Sequence, residues 1–356
     1  MKKIKIIDAF AGVGGFRIAV KNALKSLKTD YEFVASIEKD KHCRQTYNEN
    51  FKCEILDDIT KIDAKDYPAH DLLVGGFPCQ SFSVAGNLHR KNKGKVDFKD
   101  DPRSELIYYV INILKVKKPK YFVLENVKGL LKAMNPDGSY FIDSILDEIK
   151  KLGYDVKYKL LDSSDYGIAQ KRERVIFVGA LNKSLDKFKF PKPQKKFKVV
   201  KDILDKTINK KHLLTEEWKT YTLNMDHGKH KVGTSRLKYM KFIYPKESRK
   251  KDTKREKRLI LDCEICNDTP NGRSRQRDRL YSPYGLSPTL TCTSMPAFSC
   301  EDGWRKLSPR EAFRLQGFPE SFKIHPNNNQ AYKQAGNTVP VNMLEAVVKE
   351  FFKFLS

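Results

Sequence analysis

The fold is indicated most clearly by the sequence Asp71-Leu72-Leu73-Val74-Gly75-Gly76-Phe77-Pro78-Cys79-Gln80-Ser81-Phe82-Ser83. Its short apolar run ends in two glycines, a pattern typical of a buried parallel strand that leaves its sheet. Ligands of open α/β sheets bind beyond the carboxyl ends of such strands, so Cys79 is predicted to lie in a cleft. Pro78 fixes the backbone before the thiol, and Gln80, Ser81 and Ser83 surround it with polar groups. A free cysteine more often behaves as a small buried hydrophobe, so partner residues must decide its role.

The charge of the chain predicts a polyanionic partner. Its 356 residues include 69 basic and 44 acidic ones, a formal net charge of +25, and residues 181–300 alone hold 29 basic and 13 acidic residues. One region therefore carries most of the excess, although a solvated lysine-rich surface is the plainer alternative. No apolar run has the length of a signal peptide or a membrane span, so we expect a cytoplasmic protein with no membrane partner.

The cysteines indicate reduced thiols and no metal site. There are seven, an odd count without a regular framework, which is typical of a reducing compartment. Cys263 and Cys266 have the spacing of metal ligands, but no second pair stands at a matching distance. We therefore expect no bound metal.

A glycine-rich turn follows the first predicted strand, Lys3–Ile7. It carries glycines at positions 12, 14 and 15 and precedes a predicted helix from Arg17 to Leu27. Glycine lets the backbone approach a ligand closely, and such a turn holds a nucleotide-like cofactor in α/β proteins. The spacing is not that of a dinucleotide motif, which favours an adenosyl ligand without phosphates.

Two acids after the next predicted strands extend this interpretation. Glu38 ends the strand Tyr31–Ile37, where an acid accepts hydrogen bonds from ribose hydroxyls. Asp58 follows a third short strand near Cys53–Leu56 and is expected to bind an adenine amino group, while Ile59 packs on the ring. Either acid is alternatively a solvated loop charge.

Further strands and helices complete the predicted sheet. Helices are predicted at about Arg103–Val116 and Gly138–Leu152, and strands at Tyr121–Leu124, Val156–Leu161 and Val175–Leu181. Glu125 ends the strand beside that of Cys79 and is predicted to share its cleft, as a proton-handling partner of the nucleophile. The paired arginines of Gln170-Lys171-Arg172-Glu173-Arg174 are suited to clamp a phosphate or a base carbonyl.

These blocks resemble a DNA (cytosine-5) methyltransferase over nearly the whole chain apart from residues 182–280. The ordered matches are Asp8 to Phe16, Glu38, Asp58-Ile59, Gly76-Phe77-Pro78-Cys79-Gln80, Glu125-Asn126-Val127, Gln170 to Arg174, Arg305 to Glu311, Gln316 to Pro319, and Gln334 to Pro340. The resemblance implies a Rossmann-like, mostly parallel α/β sheet that binds S-adenosylmethionine, with a second, smaller target-recognition domain. It places the catalytic domain at residues 1–200 and 330–356, and the recognition domain and hinge at residues 201–329.

The resemblance also assigns roles to residues. The catalytic set would be Cys79, Glu125, Arg172 and Arg174. The cofactor-binding set would be Phe10, Ala11, Gly12, Gly14, Gly15, Glu38, Asp58, Ile59, Pro78, Leu106, Asn337 and Val339. The DNA-binding set would be Gln80, Ser81, Ser83, Gln170, Arg275, Arg277 and Thr289, while residues 87–102 would form a loop that closes over the base.

The implied activity is methylation of C5 of a cytosine flipped out of a short double-stranded DNA sequence, through an adduct of Cys79 with C6. The enzyme is expected to be a monomer whose methylation protects DNA from a cognate restriction endonuclease, and a phage or solitary methyltransferase is equally compatible with the sequence. A transfer RNA cytosine-5 methyltransferase and a non-catalytic DNA-binding regulator are the alternatives. The long basic region favours duplex DNA over transfer RNA, and the presence of Cys79, Glu125 and the cofactor glycines favours an enzyme over a regulator.

Overall fold

The structure is a computed structural model that describes residues 3–78, 106–135, 137–207, 212–213, 229–231, 237–242, 257–259, 261–267, 279–292, 295–301 and 303–356. The chain divides into two compact units. The first comprises Met1–Asp162, Glu173–Pro193 and Thr338–Ser356, and the second comprises Ser163–Arg172 and Gln194–Asn337. The role of target recognition expected for residues 201–329 stays a prediction.

A six-stranded sheet forms the centre of the first unit. Its strands are β1 (Ile4–Ala9), β2 (Tyr31–Ile37), β3 (Leu72–Gly76), β4 (Tyr121–Val127), β5 (Tyr154–Asp162) and β6 (Glu173–Leu181), in the order β2-β1-β3-β4-β6-β5. The pairs β1–β2, β1–β3 and β3–β4 are parallel, and β6 runs antiparallel to both of its neighbours, β4 and β5. The sheet is therefore mixed and mostly parallel, and the predicted α/β class is confirmed.

Helices cover both faces of this sheet. The helices that the structure describes are α1 (Gly15–Ser26), α2 (Lys41–Phe51), α3 (Leu106–Lys117), α4 (Phe141–Lys151), α5 (Pro309–Arg314), α6 (Asn328–Asn337) and α7 (Val341–Leu355). Phe122 of β4 belongs to a buried cluster with Val110 of α3 and Ile145 of α4. The next residue back, Tyr121, points to the opposite face because side chains alternate along a strand, and its ring packs edge-on against Phe351 of α7.

Two elements differ from the sequence-based expectation. The predicted strand Cys53–Leu56 is wrong, because it is reduced to one parallel bridge between Leu56 and Ile37. Helix α2 was not predicted, since its polar sequence has no apolar periodicity. The side chain of Asp40 begins α2 by accepting hydrogen bonds from the N–H groups of His42 and Cys43, at 2.9 and 3.2 Å.

The second unit contains a sheet of six described strands. They are β7 (Lys229–Lys231), β8 (Leu237–Phe242), β9 (Leu261–Asn267), β10 (Arg279–Tyr281), β11 (Ala297–Cys300) and β12 (Gly303–Lys306). Each strand lies beside the one that follows it in the chain. The strands pair antiparallel except β10 with β11. Cys263 and Cys266 lie in β9. Among the described residues, no helix is both long and apolar enough to cross a membrane.

The close approach of β3 to β1 predicts an intolerance to any side chain at Gly75. A Cβ there would lie 2.4 Å from the carbonyl oxygen of Ala9, which belongs to the backbone of β1. We expect Gly75→Ala to lower the free energy of unfolding in urea by about 1–3 kcal/mol, because an overpacked core must move backbone. The control Lys25→Ala, on the exposed side of α1, should stay within about 0.5 kcal/mol of wild type. Equal stability of the two variants would contradict the packing argument.

Candidate active site

Candidate functional residues of the first unit lie at the carboxyl ends of four parallel strands. Gly12 follows β1, Glu38 follows β2, Pro78 follows β3, and Glu125 lies near the end of β4. Parallel strands end at the same edge of their sheet, so these residues share that edge. Cys79, Gln80, Ser81, Ser83, Arg275, Arg277 and residues 87–102 lie outside the described residues.

The turn after β1 is built around a carboxylate. The backbone N–H of Gly12 donates to Oε2 of Glu38 at 2.8 Å, and Gly12 has a φ of 56° that favours glycine. Phe10 adopts the same left-handed region, with a φ of 56°, and Ala11 is buried. Gly14 also has a positive φ, of 91°. The turn thus brings backbone rather than side chain to the sheet edge.

Gly15 begins α1 against the stretch that precedes α7. A Cβ at Gly15 would lie 2.7 Å from Oγ1 of Thr338 and 2.8 Å from Cγ2 of Val339. Any larger residue at position 15 would therefore require the side chains of Thr338 and Val339 to move. The structure brings Val339, predicted at the cofactor pocket, to the same glycine turn.

Glu38 is buried and its charge is partly compensated. Burial raises the pKa of Glu38 above its ordinary value, and hydrogen bonds from the N–H groups of Asp40 and Gly12 offset part of that rise. The bond from Asp40 measures 2.7 Å. A carboxylate held in this way at a sheet edge is preorganised to accept hydrogen bonds from a ligand.

Asp58 is a buried acid whose surroundings favour its charged form. Burial opposes its charge, but Lys39, at 2.8 Å, and two hydrogen bonds from Thr60 lower the pKa of Asp58 below its ordinary value overall. Asp58 caps the short 3₁₀ helix that contains the buried Ile59. Leu106, at the start of α3, is partly buried against the core of the first unit.

Glu125 and Arg174 form a buried ion pair. Nε of Arg174 lies 2.8 Å from Oε1 of Glu125, and the two side chains are 12% and 9% exposed. The pair exists because β6 runs antiparallel to β4, so that the beginning of β6 lies beside the end of β4, with Arg174 opposite Val127. A buried carboxylate needs such a partner, since removal from water otherwise costs several kcal/mol.

Asn126 is a candidate functional residue that the sequence interpretation did not assign. It is fully buried, and its Nδ2 donates to the carbonyl oxygen of Phe77 at 3.2 Å. This bond ties the end of β4 to the turn that leads through Pro78 to Cys79. The charge of the neighbouring Glu125 indicates a functional role in the sequence, whereas a single amide side chain does not.

The remaining predicted residues lie in the second unit. Arg172 is buried and donates to the carbonyl oxygens of Leu290 and Gly336, at 2.9 and 3.1 Å. Gln170 is also buried, and Thr289 donates its hydroxyl to the carbonyl oxygen of Lys171 at 2.7 Å. Asn337 is exposed at the end of α6. Direct contacts of these residues with DNA or cofactor stay predictions.

Asp8 is a buried acid without a described partner. It lies in β1, is fully buried, and neither carboxylate oxygen has a hydrogen-bond partner among the described residues. Burial raises the pKa of Asp8 to about 8, against an opposing effect of Arg17 and with a further rise from Glu38. The carboxyl group is therefore mostly neutral at pH 7, and no sequence pattern indicated this.

The pKa of Asp8 predicts a pH-dependent stability. The unfolded protein releases the Asp8 proton near pH 3.8 and the folded protein near pH 8, so wild-type stability falls as the pH rises between these values. Asp8→Asn cannot ionise and lacks this fall. The free energy of unfolding of Asp8→Asn minus that of wild type should therefore be larger at pH 8 than at pH 5, by about 1–3 kcal/mol in urea titrations. A difference independent of pH would contradict the buried neutral acid.

Comparisons with known proteins give the family. Residues 4–353 match the family described as C-5 cytosine-specific DNA methylase. The chain is 32% identical over 351 residues to the type II methyltransferase M.HhaI of Haemophilus parahaemolyticus, covering 97% of this chain and 93% of that protein. It is 34% identical over 354 residues to the type II methyltransferase M.NlaX of Neisseria lactamica, covering 99% and 97%.

Solved structures show the same fold. The Entamoeba histolytica methyltransferase EhMeth has a TM-score of 0.71 and 16% sequence identity, with 100% of both chains covered. A putative DNA modification methyltransferase encoded within an Escherichia coli prophage has a TM-score of 0.64 and 21% identity, with 99% of both chains covered. At these identities the likeness concerns the fold alone. The match over residues 4–353 and the sequence relatives show that the chain belongs to the C-5 cytosine-specific DNA methylase family, whose enzymes are DNA (cytosine-5-)-methyltransferases.

Proposed function

We propose that this protein transfers a methyl group from S-adenosylmethionine to C5 of a cytosine flipped out of a specific short sequence in double-stranded DNA. Family membership gives the reaction class, cytosine-5 methylation of DNA. Relatives named type II methyltransferases support a role as the modification enzyme of a restriction-modification system, acting on DNA in the cytoplasm. The observation that carries the mechanism is the buried pair of Glu125 and Arg174, beside the turn toward Cys79 that Asn126 fixes.

The residues at the glycine turn suit an adenosyl cofactor. Of the atoms that the structure describes, a Cβ built on Gly12 would meet only the carbonyl oxygen of Phe10, at 4.0 Å, so this part of the turn presents backbone to a ligand. Glu38 offers carboxylate oxygens to ribose hydroxyls, and Asp58 offers them to the adenine amino group. Phe10 and Ile59 would pack on the adenine ring. When bound, the cofactor supplies an electrophilic methyl group whose bonding electrons leave with sulfur.

Base flipping follows from the position of the target atom. C5 and C6 of a stacked cytosine are inaccessible to a side chain in a cleft, so the base must leave the duplex at a cost of a few kcal/mol. The excess of basic residues, with a net charge of +25, supports phosphate contacts that offset this cost. The sequence Asn87–Pro102 is proposed to close over the flipped base.

Cys79 and Glu125 are proposed to carry the chemistry. The thiolate of Cys79 would add to C6, and the electrons of the C5–C6 double bond would spread to C5 and N3. The Glu125 carboxyl group would bind the exocyclic amine and N3, stabilising the charge that develops there. C5 would then take the methyl group. Loss of the C5 proton to a base would restore the double bond and expel Cys79.

Arg174 is proposed to hold Glu125 in place and to bind the base carbonyl. Its guanidinium has further donors in a fixed plane beyond the Nε that meets Glu125. A charged donor fixed in this plane suits the cytosine O2 atom. Removal of Arg174 would leave the Glu125 carboxylate buried without this partner, so both residues act as one unit.

The covalent step predicts a trapped adduct. In the presence of S-adenosylmethionine, a duplex carrying 5-fluorocytosine at the target should stay bonded to wild-type protein under denaturing conditions, because the fluorine on the methylated C5 cannot leave as the proton does. Cys79→Ala should form no adduct and should lose methyl transfer from labelled S-adenosylmethionine by at least about 10³-fold, while it still binds DNA and cofactor. Undiminished transfer by Cys79→Ala would refute the assignment. Labelling of transfer RNA in preference to duplex DNA would instead favour the RNA-modifying alternative.

Two adjacent acids provide a matched test of the cofactor pocket. Asp58 is buried and Asp57, which pairs with Arg44, has a side chain that is 57% exposed. Asp58→Asn keeps a helix-capping side chain but loses the charge, and it should weaken S-adenosylmethionine binding about 10-fold in calorimetry, as expected for a hydrogen bond to a charged group. Asp57→Asn should change the affinity less than about 2-fold. Equal effects of both substitutions would contradict the proposed adenine contact.

A further inference from the structure

Helix α1 places a cation next to the glycine turn. Arg17 lies in the first turn of α1, two residues after Gly15, and its side chain is half-buried. Its guanidinium carbon lies over three aromatic rings, at 4.5 Å from the centre of Phe33, 4.9 Å from that of Phe51 and 5.5 Å from that of Tyr47. A cation is attracted to the face of an aromatic ring, most strongly where water is excluded. We name Arg17 and these three rings the arginine cage.

Two rings of the arginine cage pack directly against the glycine turn. A Cβ on Gly14 would lie 2.2 Å from Cε2 of Phe51 and 3.2 Å from Cε2 of Tyr47. The two rings also contact each other, with their centres 4.6 Å apart and their planes at 60°. Because ring and backbone leave no free space at Gly14, a shift of either ring would be transmitted to the turn.

A chain of hydrogen bonds leads from the arginine cage to β2. Nη1 of Arg17 donates to the hydroxyl oxygen of Tyr47 at 3.0 Å, and the hydroxyl oxygens of Tyr47 and Ser36 are 2.6 Å apart. Tyr47 and Ser36 are both buried, where polar groups are costly unless their hydrogen bonds are made. Ser36 lies in β2, two residues before Glu38. The chain of bonds therefore ends at the strand that positions Glu38.

A second path from Arg17 reaches the backbone around Glu38. The same Nη1 donates to Sγ of Cys53 at 3.3 Å, and Cys53 lies three residues before Leu56. The N–H of Leu56 donates to the carbonyl oxygen of Ser36 at 2.8 Å, and the carbonyl oxygen of Leu56 accepts from the N–H of Glu38 at 2.9 Å. The two protons of one guanidinium nitrogen are thus directed toward two segments that flank Glu38.

The arginine cage contacts both sides of the hydrogen bond that defines the turn. That bond joins the N–H of Gly12 to Oε2 of Glu38. The cage touches the turn at Gly14 and touches β2 through Ser36. A binding site requires its polar groups to be held within about 0.5 Å of the productive position, and neighbouring side chains usually provide that restraint.

We infer that Arg17 is a positioning residue for S-adenosylmethionine, which holds the glycine turn and Glu38 in the arrangement that the cofactor requires. This inference rests on the proposed function, because it takes the ligand from it. It goes further by giving a role to Arg17, Tyr47 and Ser36, to which the family resemblance assigns none. The competing explanation is that these contacts contribute to stability alone, and the two explanations predict different kinetics.

Two conservative substitutions test the inference. Tyr47→Phe breaks the path from Arg17 to Ser36 and keeps the ring that packs on Gly14, while Arg17→Lys keeps the charge and loses the planar fork. Each should raise the Kd of S-adenosylmethionine in calorimetry about 10-fold, as expected for a hydrogen bond to a charged group. The KM for S-adenosylmethionine in methylation of plasmid DNA should rise equally, with kcat within about 2-fold of wild type, because only uniform binding is lost. A smaller folded fraction would instead lower the apparent kcat and leave KM unchanged.

Tyr154→Phe is the matched control. Tyr154 is buried in the same unit, and its hydroxyl donates to the carbonyl oxygen of Pro119 at 2.7 Å. This contact lies at the start of β4 and β5, at the opposite edge of the sheet from the glycine turn. The variant should also lose stability with its buried hydrogen bond, but it should change the Kd less than about 2-fold. Equal weakening of cofactor binding by Tyr154→Phe and Tyr47→Phe would overturn the inference, as would wild-type Kd and KM values in Tyr47→Phe and Arg17→Lys.

A double-mutant cycle tests the path to Glu38. Side chains that act through a shared contact have effects that do not add. When Tyr47→Phe is introduced into Glu38→Gln, the further loss of affinity should therefore be less than about 3-fold, instead of about 10-fold in wild type. Losses that multiply would contradict the positioning of Glu38 and overturn the inference. Failure of the wild-type protein to bind S-adenosylmethionine would instead refute the proposed function.

Discussion

Carboxyl groups are withdrawn from water at the carboxyl edge of the parallel sheet, and the backbone and side chains around them have to compensate for the lost hydration. A carboxylate withdrawn from water is stable only with compensating charge or hydrogen bonds. Glu125 has Arg174, and Glu38 has the N–H groups of Gly12 and Asp40. The reversed direction of β6 and the left-handed conformation of the glycine turn both supply these partners. Neither carboxylate oxygen of Asp8 has a hydrogen-bond partner among the described residues, and burial raises the pKa of this group to about 8, so that it stays mostly neutral near pH 7. At this edge, Glu125 is stabilised by an ion pair, Glu38 by hydrogen bonds, and Asp8 by retaining its proton.

Much of the first unit could be predicted because local patterns determine it. Apolar runs bounded by glycine or charge mark β1, β3, β4 and β6, and the family blocks attach chemistry to their carboxyl ends. The glycines at 12, 14 and 15 indicated a close backbone approach, and a positive φ at two of them agrees with it. The confirmed family and α/β class follow from such ordered signals.

Other features depended on contacts that no local pattern contains. Four residues near Leu56 have the composition of a strand, yet only one of them pairs with β2. Asn126 and Arg172 act through backbone carbonyls 49 and 118 residues away in the chain, and an amide or arginine in a sequence does not reveal a carbonyl partner. The raised pKa of Asp8 depends on complete burial, which follows from packing rather than from composition. Sequence therefore identified charged groups more readily than the neutral groups that position them.

Bisulfite sequencing of a plasmid recovered from a methylation-free host that expresses this protein would show whether the protein methylates cytosine in DNA, and at which sequence. We expect cytosines within one recurring short motif to resist conversion and all others to convert. Such a pattern would establish the reaction, the DNA substrate and the sequence specificity in one experiment. Complete conversion of the plasmid, with folded protein present in the same cells, would contradict the proposed methylation of DNA.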